Sequence, residues 1–413
     1  MNKSSKTRLK KNMLALSVVQ VSNYILPILI LPFLTRTLGV DGFALISIVL
    51  ATIQLSFVIT DYGLSVYAPY EISSAKSSPN KINRFISNIY GLKIVLFLVA
   101  LCIFAVIMWS QDTANWWGIF MCSSLAILFQ AYQPVWLFHG IEKMNGVAIT
   151  SLTTKLGYVI LVFIFVRESS DGLKVIASWA AAQALASVVS NWLMFKEGYR
   201  ISLPTYREMT LICKGCREYF ISRLAVSMFS SVNTIVLGAI GGSNQVALYA
   251  ICDQLYKAGK NATMPVSQAL YPYMTRQRNW ALFYKILIFV TFGLAFGSFI
   301  VSLVSEDLIT LVFGENYKAA ASTLNVFLFT IVINFISVLF GYPAFGALGR
   351  PDFANKTVIF GAGCHIVSLV ICITFFQLDS LKTAYITLCT ELIIMSLRIA
   401  KLLELKKQKG EAV

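Results

Sequence analysis

Uncharged, apolar runs of about twenty residues follow one another along almost the whole of this 413-residue chain. The first run extends from Asn12 to Thr35 and directly follows an N-terminal segment with five lysine and arginine residues. A helix needs about 20 apolar residues to cross the hydrocarbon core of a bilayer. Only 13% of the residues are charged, whereas a soluble domain has about 25%. The chain is therefore predicted to be an integral membrane protein, and a soluble enzyme, a disordered chain and a disulfide-stapled secreted module are excluded.

The runs predict an all-α fold with about twelve transmembrane helices, because they are continuously apolar and show no period-two alternation. Charged residues interrupt the fifth, eighth and twelfth runs at Lys155, Asp253 and Glu391, respectively. The predicted helices cover residues 13–34, 43–67, 86–109, 115–138, 147–166, 173–195, 218–240, 244–268, 283–304, 319–341, 355–376 and 382–403.

The distribution of positive charge predicts the orientation of these helices, because cytoplasmic loops of membrane proteins are enriched in lysine and arginine. With a cytoplasmic N-terminus, 29 of the 34 lysine and arginine residues lie on the cytoplasmic side. The five on the opposite side are Arg36, Arg167, Lys174, Lys318 and Lys382. Both termini are therefore predicted to be cytoplasmic, and the net charge of +15 requires no nucleic-acid partner.

Two similar short segments indicate that the chain is doubled. Residues 39–45 join the first two predicted helices, and residues 242–248 join the seventh and eighth, 203 residues further along. Six helices per half is an even number, so both halves would insert with the same orientation, as in transporters built from parallel repeats. We therefore expect two six-helix lobes, residues 1–205 and 206–413, that flank a central cavity and open it alternately to the two sides of the membrane.

The sequence contains no pattern typical of a catalytic or metal site. The two histidines, His139 and His365, are far apart and lie in no metal-binding spacing. Cys213 and Cys216 have C-x-x-C spacing, but they fall on a predicted cytoplasmic linker rather than in the βαβ setting of a redox centre. The chain is accordingly not expected to be an enzyme, and neither a cofactor nor a metal is expected.

Polar side chains recur at helical spacing on three predicted helices, where lipid cannot satisfy them. For serine and threonine two interpretations stay open, a watery substrate cavity or hydrogen bonds that join helices. For charged residues the cavity is favoured, because their burial in lipid is costly. Asp61 and Asp253 are candidates for ion coupling or charge pairing. The candidate substrate-binding residues are Gln20, Asn23 and Tyr24 on the first helix, Arg36 at its outer end, Arg223 and Ser227 on the seventh helix, and Tyr249 and Lys257 on the eighth.

Arg223 is the principal candidate for contact with a phosphate group. It lies inside the seventh predicted helix, and no acidic residue occupies a position three or four residues away on that helix. A guanidinium group can hold two phosphate oxygens at once, which an ammonium group cannot. The competing interpretation is that Arg223 extends its charge to the cytoplasmic surface.

The remaining intramembrane charges are expected to be neutralised or solvated locally. Asp253 precedes Lys257 by four residues on one helix, which favours an ion pair. A pair between Glu391 and Arg398 within the second lobe is a further option. Long basic side chains near a membrane surface can place their charge among the headgroups, and this is expected of Lys93, Lys155, Lys260 and Arg398.

Five segments, taken in this order along the chain, resemble the Wzx-type O-antigen flippases. These proteins belong to the polysaccharide transport family of the multidrug/oligosaccharidyl-lipid/polysaccharide exporter superfamily. His139 stands where the family usually has glutamine, so no general mechanistic role is expected for it. The segments are residues 31–45, 61–74, 133–144, 265–274 and 346–352.

The resemblance implies a flippase that moves undecaprenyl-pyrophosphate-linked oligosaccharide units from the cytoplasmic to the periplasmic leaflet of the bacterial inner membrane. Beyond this cargo and membrane lipids, a polysaccharide polymerase and a chain-length regulator are the partners expected. The family has no single invariant site to transfer, so the site residues above depend on physical arguments alone.

Three other functions are to be considered for such a sequence. A cation-coupled multidrug exporter of the same superfamily would use acidic coupling residues, for which Asp61 and Asp253 are the candidates. A lipid II flippase commonly has extra helices, for which this chain has no room. A polysaccharide polymerase or ligase normally carries a large periplasmic loop, whereas the loops predicted outside this membrane protein are short.

Overall fold

The computed structural model describes the backbone of residues 3–74, 79–109 and 115–408. Within these ranges the side chains of residues 3–19, 21, 23–25 and 228–230 are outside the description. The described chain forms helices joined by short connections and contains no strand. It separates into two compact units, Met1–Ser227 and Met228–Val413.

The first unit is built from seven helices and the greater part of an eighth. Helix α1 is interrupted at Gly39, whose backbone lies in the left-handed region (φ 70°) that glycine adopts without steric cost. The first two predicted helices are therefore the two arms of α1. The helices are α1 Lys3–Asp61, α2 Leu64–Ser74, α3 Pro79–Trp109, α4 Trp116–Ala131, α5 Val135–Gly140, α6 Met144–Phe165, α7 Gly172–Lys196 and α8 Tyr206–Ser230.

The second unit contains the remaining eight helices. A 3₁₀ turn at Glu315–Tyr317 separates the short α12 from α13. The helices are α9 Val232–Ile240, α10 Gly242–Gln277, α11 Trp280–Leu303, α12 Ser305–Phe313, α13 Ala320–Leu339, α14 Tyr342–Ala347, α15 Asp352–Phe375 and α16 Ser380–Gln408.

Each unit has its own apolar core. In the first unit Leu64, Ile86 and Phe138 pack together, which joins α2 and α3 to α5. In the second unit Phe283 and Phe335 belong to a core formed by residues of α10, α11, α13, α14 and α16. In a bilayer such contacts stabilise each unit through close van der Waals packing between its helices.

The described helices confirm an all-α, multi-pass membrane protein. Among the described residues, eight helical stretches are long and apolar enough to cross a membrane, and a ninth is counted if α8 and α9 form one span. Each of the twelve predicted ranges falls mainly on helix, and the ranges 43–67, 115–138 and 218–240 each cross a break between two helices. Leu26–Ser74 is one of these eight stretches, although the sequence predicts parts of two transmembrane helices within it.

The boundary between the units lies after Ser227, within α8. The first unit therefore includes most of α8, because this helix packs against the end of α1. The sequence predicts instead that the first lobe ends at residue 205. The division into six-helix lobes around a cavity stays a prediction.

Candidate functional site

A tight turn between α1 and α2 brings the end of α1 against α8. Tyr62 (φ 45°) and Gly63 (φ 82°) both have left-handed backbone conformations. A Cβ atom added to Gly63 would lie 2.7 Å from Cβ of Tyr219, so α8 approaches the turn too closely for any other residue. The ring of Tyr62 stacks on the ring of Phe220, with centroids 4.4 Å apart. These contacts fix the turn relative to α8.

Asp61, the last residue of α1, uses both of its carboxylate oxygens. Oδ1 accepts hydrogen bonds from the backbone N–H and the hydroxyl of Ser65, and thus stabilises the start of α2. Oδ2 accepts a hydrogen bond from Nη1 of Arg223 on α8 over 3.1 Å. The turn therefore positions a carboxylate next to the arginine that the sequence singled out.

Arg223 combines a fixed position with accessible donors. Its side chain is 46% exposed, which makes the ion pair with Asp61 a partly solvated one. Among the described residues, Asp61 is the hydrogen-bond partner found for its guanidinium group. Since a guanidinium group has five N–H donors, Arg223 can hold an oxyanion while it stays in contact with Asp61.

The other candidates of the first unit have different environments. Gln20 is half-buried and Arg36 is exposed, whereas Asn23 and Tyr24 lie outside the described side chains. Ser227 is buried and donates to the carbonyl oxygen of Leu224 within α8. Within this unit the structure therefore brings Asp61 and Arg223 together by direct contact.

In the second unit Asp253 and Lys257 form an ion pair with a distance of 2.6 Å between Oδ2 and Nζ. Asp253 is buried, and Lys257 is partly exposed. Tyr249 is fully buried, its ring packs edge-on against Phe327, and its hydroxyl accepts a hydrogen bond from Asn233. These contacts assign Tyr249 to internal packing in this conformation rather than to an open sugar-stacking surface.

A buried polar network in the second unit was not foreseen from the sequence. His365 of α15 lies between Thr390 of α16 (Nδ1 to Oγ1, 3.0 Å) and Asn233 of α9 (Nε2 to Oδ1, 2.9 Å). Asn233 also donates to the hydroxyl of Thr387. The sequence feature that could have predicted this network is the spacing of polar residues along α16, because Thr387 and Thr390 share one face of the helix.

Two basic residues predicted to extend toward the membrane surface are instead buried. Lys93 donates to the carbonyl oxygen of Ala131 at the end of α4. Arg398 donates to Thr357 and to the carbonyl oxygens of Ser337 and Ala354. These predictions were wrong, because Ala131 and Ser337 lie in the last turns of α4 and α13, where carbonyl groups lack helical partners and can accept from such cations inside the protein.

Glu391 and Arg398 do not form the direct ion pair that the sequence offered as an option, since each side chain hydrogen-bonds to other partners.

Cys213 and Cys216 are free thiols within α8 rather than on a linker. No group of three or more His, Cys, Asp or Glu side chains that could hold a metal ion occurs in the described part of the chain.

Solved membrane transporters share this fold. An inward-facing multidrug transporter of the MATE family, in the MOP superfamily, superposes with a TM-score of 0.73 at 12% identity, over 96% of this chain and 99% of that one. The inward closed conformation of the lipid II flippase MurJ gives a TM-score of 0.75 at 11% identity, over 95% and 89% of the two chains. The chain thus has the multi-pass helical fold of these proteins.

Sequence comparison identifies the family. A model of the family described as polysaccharide biosynthesis protein matches residues 9–278. A protein of Escherichia coli K12 named "Putative O-antigen transporter" is 29% identical over 272 residues, which are 65% of this chain and 65%, just under two thirds, of that protein. A Shigella dysenteriae protein of the same name is 26% identical over 366 residues, 87% of this chain and 91% of that one.

The chain belongs to the polysaccharide biosynthesis protein family, and its resemblance to the Wzx-type O-antigen flippases is confirmed. Both relatives are named as transporters, and neither name is that of an enzyme.

Proposed function

We propose that this chain transports an undecaprenyl-pyrophosphate-linked O-antigen oligosaccharide from the cytoplasmic to the periplasmic leaflet of the bacterial inner membrane. The names of the two sequence relatives support a cargo of this class. The observation that carries the proposal in the structure is the half-exposed guanidinium group of Arg223, which a single carboxylate holds in place.

The chemistry of the cargo explains why a cation is needed. The polyprenyl tail can stay in lipid, whereas the pyrophosphate and the sugars need a polar passage. In the empty transporter, Asp61 neutralises part of the charge of Arg223 and thus lowers the cost of placing it in a membrane protein. When the cargo enters, oxygens of the pyrophosphate take the remaining guanidinium donors and form charge-assisted hydrogen bonds.

The membrane potential can supply a driving force for the headgroup. A pyrophosphate with about two negative charges moves outward with a gain of about 4–5 kcal/mol at 100 mV, at about 2.3 kcal/mol per charge. We propose that the two halves of the chain open alternately to the two sides. Transporters of similar fold have been solved in inward-facing and outward-facing conformations, which supports this part of the proposal.

The ion pairs disfavour a multidrug exporter driven through Asp61 or Asp253. Each carboxylate contacts a basic residue, Arg223 and Lys257 respectively, so neither is an isolated acid. A polymerase and a chain-length regulator are proposed as partners that act on the transported unit. Both would receive it on the periplasmic side.

Deletion and complementation in the native host test the proposed function, because the host makes the correct sugar unit. Loss of the gene should remove the surface polysaccharide and cause the lipid-linked unit to accumulate. The wild-type gene on a plasmid should reverse both effects. Normal polysaccharide in the deletion strain, together with increased sensitivity to drugs, would instead identify a multidrug exporter.

A further inference from the structure

Three basic side chains of the second unit surround one aromatic ring, that of Phe353. Cζ of Arg350 lies 4.6 Å from the centroid of this ring, and the Nζ atoms of Lys356 and Lys401 lie 5.1 and 5.2 Å from it. Arg350 precedes α15, Lys356 lies in the second turn of α15, and Lys401 lies near the end of α16. The fold therefore gathers positive charges from separate elements at one place.

The ring of Phe353 holds these cations together. It is half-buried against the apolar core of the second unit, and its centroid lies 5.8 Å from that of the Phe345 ring. A cation close to an aromatic ring is attracted by the electrons of its face. Positive charges gathered around one ring also repel one another, and a bound anion would relieve this repulsion.

Two carboxylates offset only part of the positive charge. Asp352 accepts from Nε of Arg350 over 3.2 Å and from Nζ of Lys356 over 3.1 Å. Glu404 accepts from Nζ of Lys401 over 2.8 Å. Three cations and two carboxylates leave one positive charge in excess.

The three cations are accessible to a ligand. The side chains of Lys401, Arg350 and Lys356 are 31%, 48% and 65% exposed, respectively. A guanidinium group has five N–H donors and an ammonium group has three. The cluster can therefore hold an anion while its ion pairs with Asp352 and Glu404 persist.

The exposed apolar surface of α15 continues from this cluster. Phe360, Val367 and Val370 follow Lys356 by four, eleven and fourteen residues, so they lie on the same side of the helix. Each of the three is more than half exposed. Because α15 is long and apolar enough to cross a membrane, such side chains face the acyl chains of lipids. An anion held by the cluster would thus lie at the end of a lipid-facing surface.

The three cations are among the basic residues that the positive-inside rule places on the cytoplasmic side. The cytoplasmic leaflet contains anionic phospholipids, and its surface attracts basic residues. Both the charge and the predicted side of the membrane therefore favour a lipid of this leaflet as the ligand.

We propose that Arg350, Lys356 and Lys401 bind the phosphate of an anionic phospholipid whose acyl chains lie along α15. The phosphodiester of such a lipid carries one negative charge, which matches the one positive charge in excess. Arg350 can hold two of its oxygens at once. This inference goes beyond the proposed function, because the ligand is a lipid of the surrounding leaflet and not the cargo that Arg223 of the first unit is proposed to bind.

Native mass spectrometry of the purified, delipidated full-length protein with phosphatidylglycerol tests the proposal. The wild type should bind this lipid more tightly than phosphatidylethanolamine, which has no net charge. Each of the variants Arg350→Gln, Lys356→Gln and Lys401→Gln should weaken the binding about fivefold, since one basic residue at a membrane surface contributes about 1 kcal/mol. The triple variant should bind the two lipids equally.

Lys196→Gln is the matched control. Lys196 is exposed at the end of α7, and its Nζ atom lies 5.1 Å from the ring centroid of Trp192, so it is a single cation beside one ring. The control removes the same charge from the predicted cytoplasmic side and should leave the affinity unchanged. Equal weakening by Lys196→Gln would overturn the proposed site in favour of a general effect of net charge. Binding of phosphatidylglycerol by the triple variant as tight as by the wild type would also overturn it.

Two further ligands distinguish the phospholipid from other phosphates. Glycerophosphoglycerol, the same headgroup without acyl chains, should not displace phosphatidylglycerol when both are present at equal concentration. Displacement would overturn the contact of the acyl chains with α15. Undecaprenyl pyrophosphate should bind the triple variant and the wild type equally. A loss of this binding in the triple variant would assign the cluster to the cargo and overturn the proposal, whereas Arg223→Gln tests the proposed function separately.

Discussion

Nη1 of Arg223 lies 3.1 Å from Oδ2 of Asp61, although the two residues are 162 positions apart in the sequence. The turn at Tyr62 and Gly63 creates this contact, because it presses the end of α1 against α8. An arginine that a neighbouring helix holds in place keeps its donors oriented before an anion arrives. Less conformational freedom is then lost on binding.

Replacement of Arg223 should separate transport from stability. Arg223→Gln should abolish surface polysaccharide, because glutamine has no charge to bind pyrophosphate. Arg223→Lys should retain part of it, since an ammonium group binds phosphate as a point charge only. Display of polysaccharide by complemented deletion strains measures both effects. The loss of a half-exposed ion pair should cost at most about 1 kcal/mol of stability, so protein levels should be normal.

Asp61→Asn provides the companion variant. Its side-chain oxygen can still accept from Ser65 and support the start of α2, while its charge is removed. We expect folding to be retained and Arg223 to be released from its ion pair. The affinity of the purified variant for undecaprenyl pyrophosphate should then equal or exceed that of the wild type, because the uncompensated guanidinium charge outweighs the loss of the orientation that Asp61 provides. A loss of binding as large as that of Arg223→Gln would show that Asp61 is needed for more than charge compensation.

Arg398→Met should strongly destabilise the second unit. Arg398 is only 6% exposed, and its removal takes the charged donor away from the buried carbonyl oxygen of Ser337 and breaks the hydrogen bond to Thr357. We expect a loss of about 2–5 kcal/mol. The melting temperature of the detergent-solubilised protein measures this loss. Lys401→Met, one turn further along α16 and partly exposed, is the control and should change the melting temperature little.

Two adjacent lysines at the end of α16 should differ in their contribution to stability. Lys406 is 2% exposed, and its Nζ atom lies 3.9 Å from the ring centroid of Trp280, whereas Lys407 is exposed. Lys406→Gln should cost about 2 kcal/mol, the value of a desolvated cation–π contact. Lys407→Gln should stay within about 0.5 kcal/mol of the wild type. Equal melting temperatures of the two variants would contradict the structural role of Lys406.

The orientation predicted from positive charge is open to direct measurement. Reporter fusions at residue 206 and at the C-terminus should be active in the cytoplasm. Fusions in the segments 167–172 and 305–318 should be active in the periplasm. We expect this because lysine and arginine are concentrated around residue 206 and near the C-terminus, and such segments stay in the cytoplasm. A periplasmic C-terminus would contradict the even number of membrane crossings.

The sequence was sufficient for the helices but not for their polar contacts. Apolar runs between charged residues locate helices such as α11 and α13 directly, because lipid requires continuous apolar surface. The contact of Arg223 with Asp61 depends on how two distant helices pack, and nothing in the local pattern encodes it. The position of Arg398 near the end of an apolar run wrongly predicted a charge at the membrane surface. The side chain is buried, because the carbonyl groups that accept its hydrogen bonds belong to two other helices, α13 and α15.

Transport of a lipid-linked oligosaccharide by the purified chain in proteoliposomes tests the central claim most directly. Undecaprenyl-pyrophosphate-linked oligosaccharide would be placed in the inner leaflet, and an external lectin would report the fraction that reaches the outer leaflet. The account predicts that the wild type transfers the lipid, whereas Arg223→Gln transfers no more than protein-free vesicles. Equal transfer by the variant would contradict the role of Arg223, and no transfer by the wild type would contradict the proposed function itself.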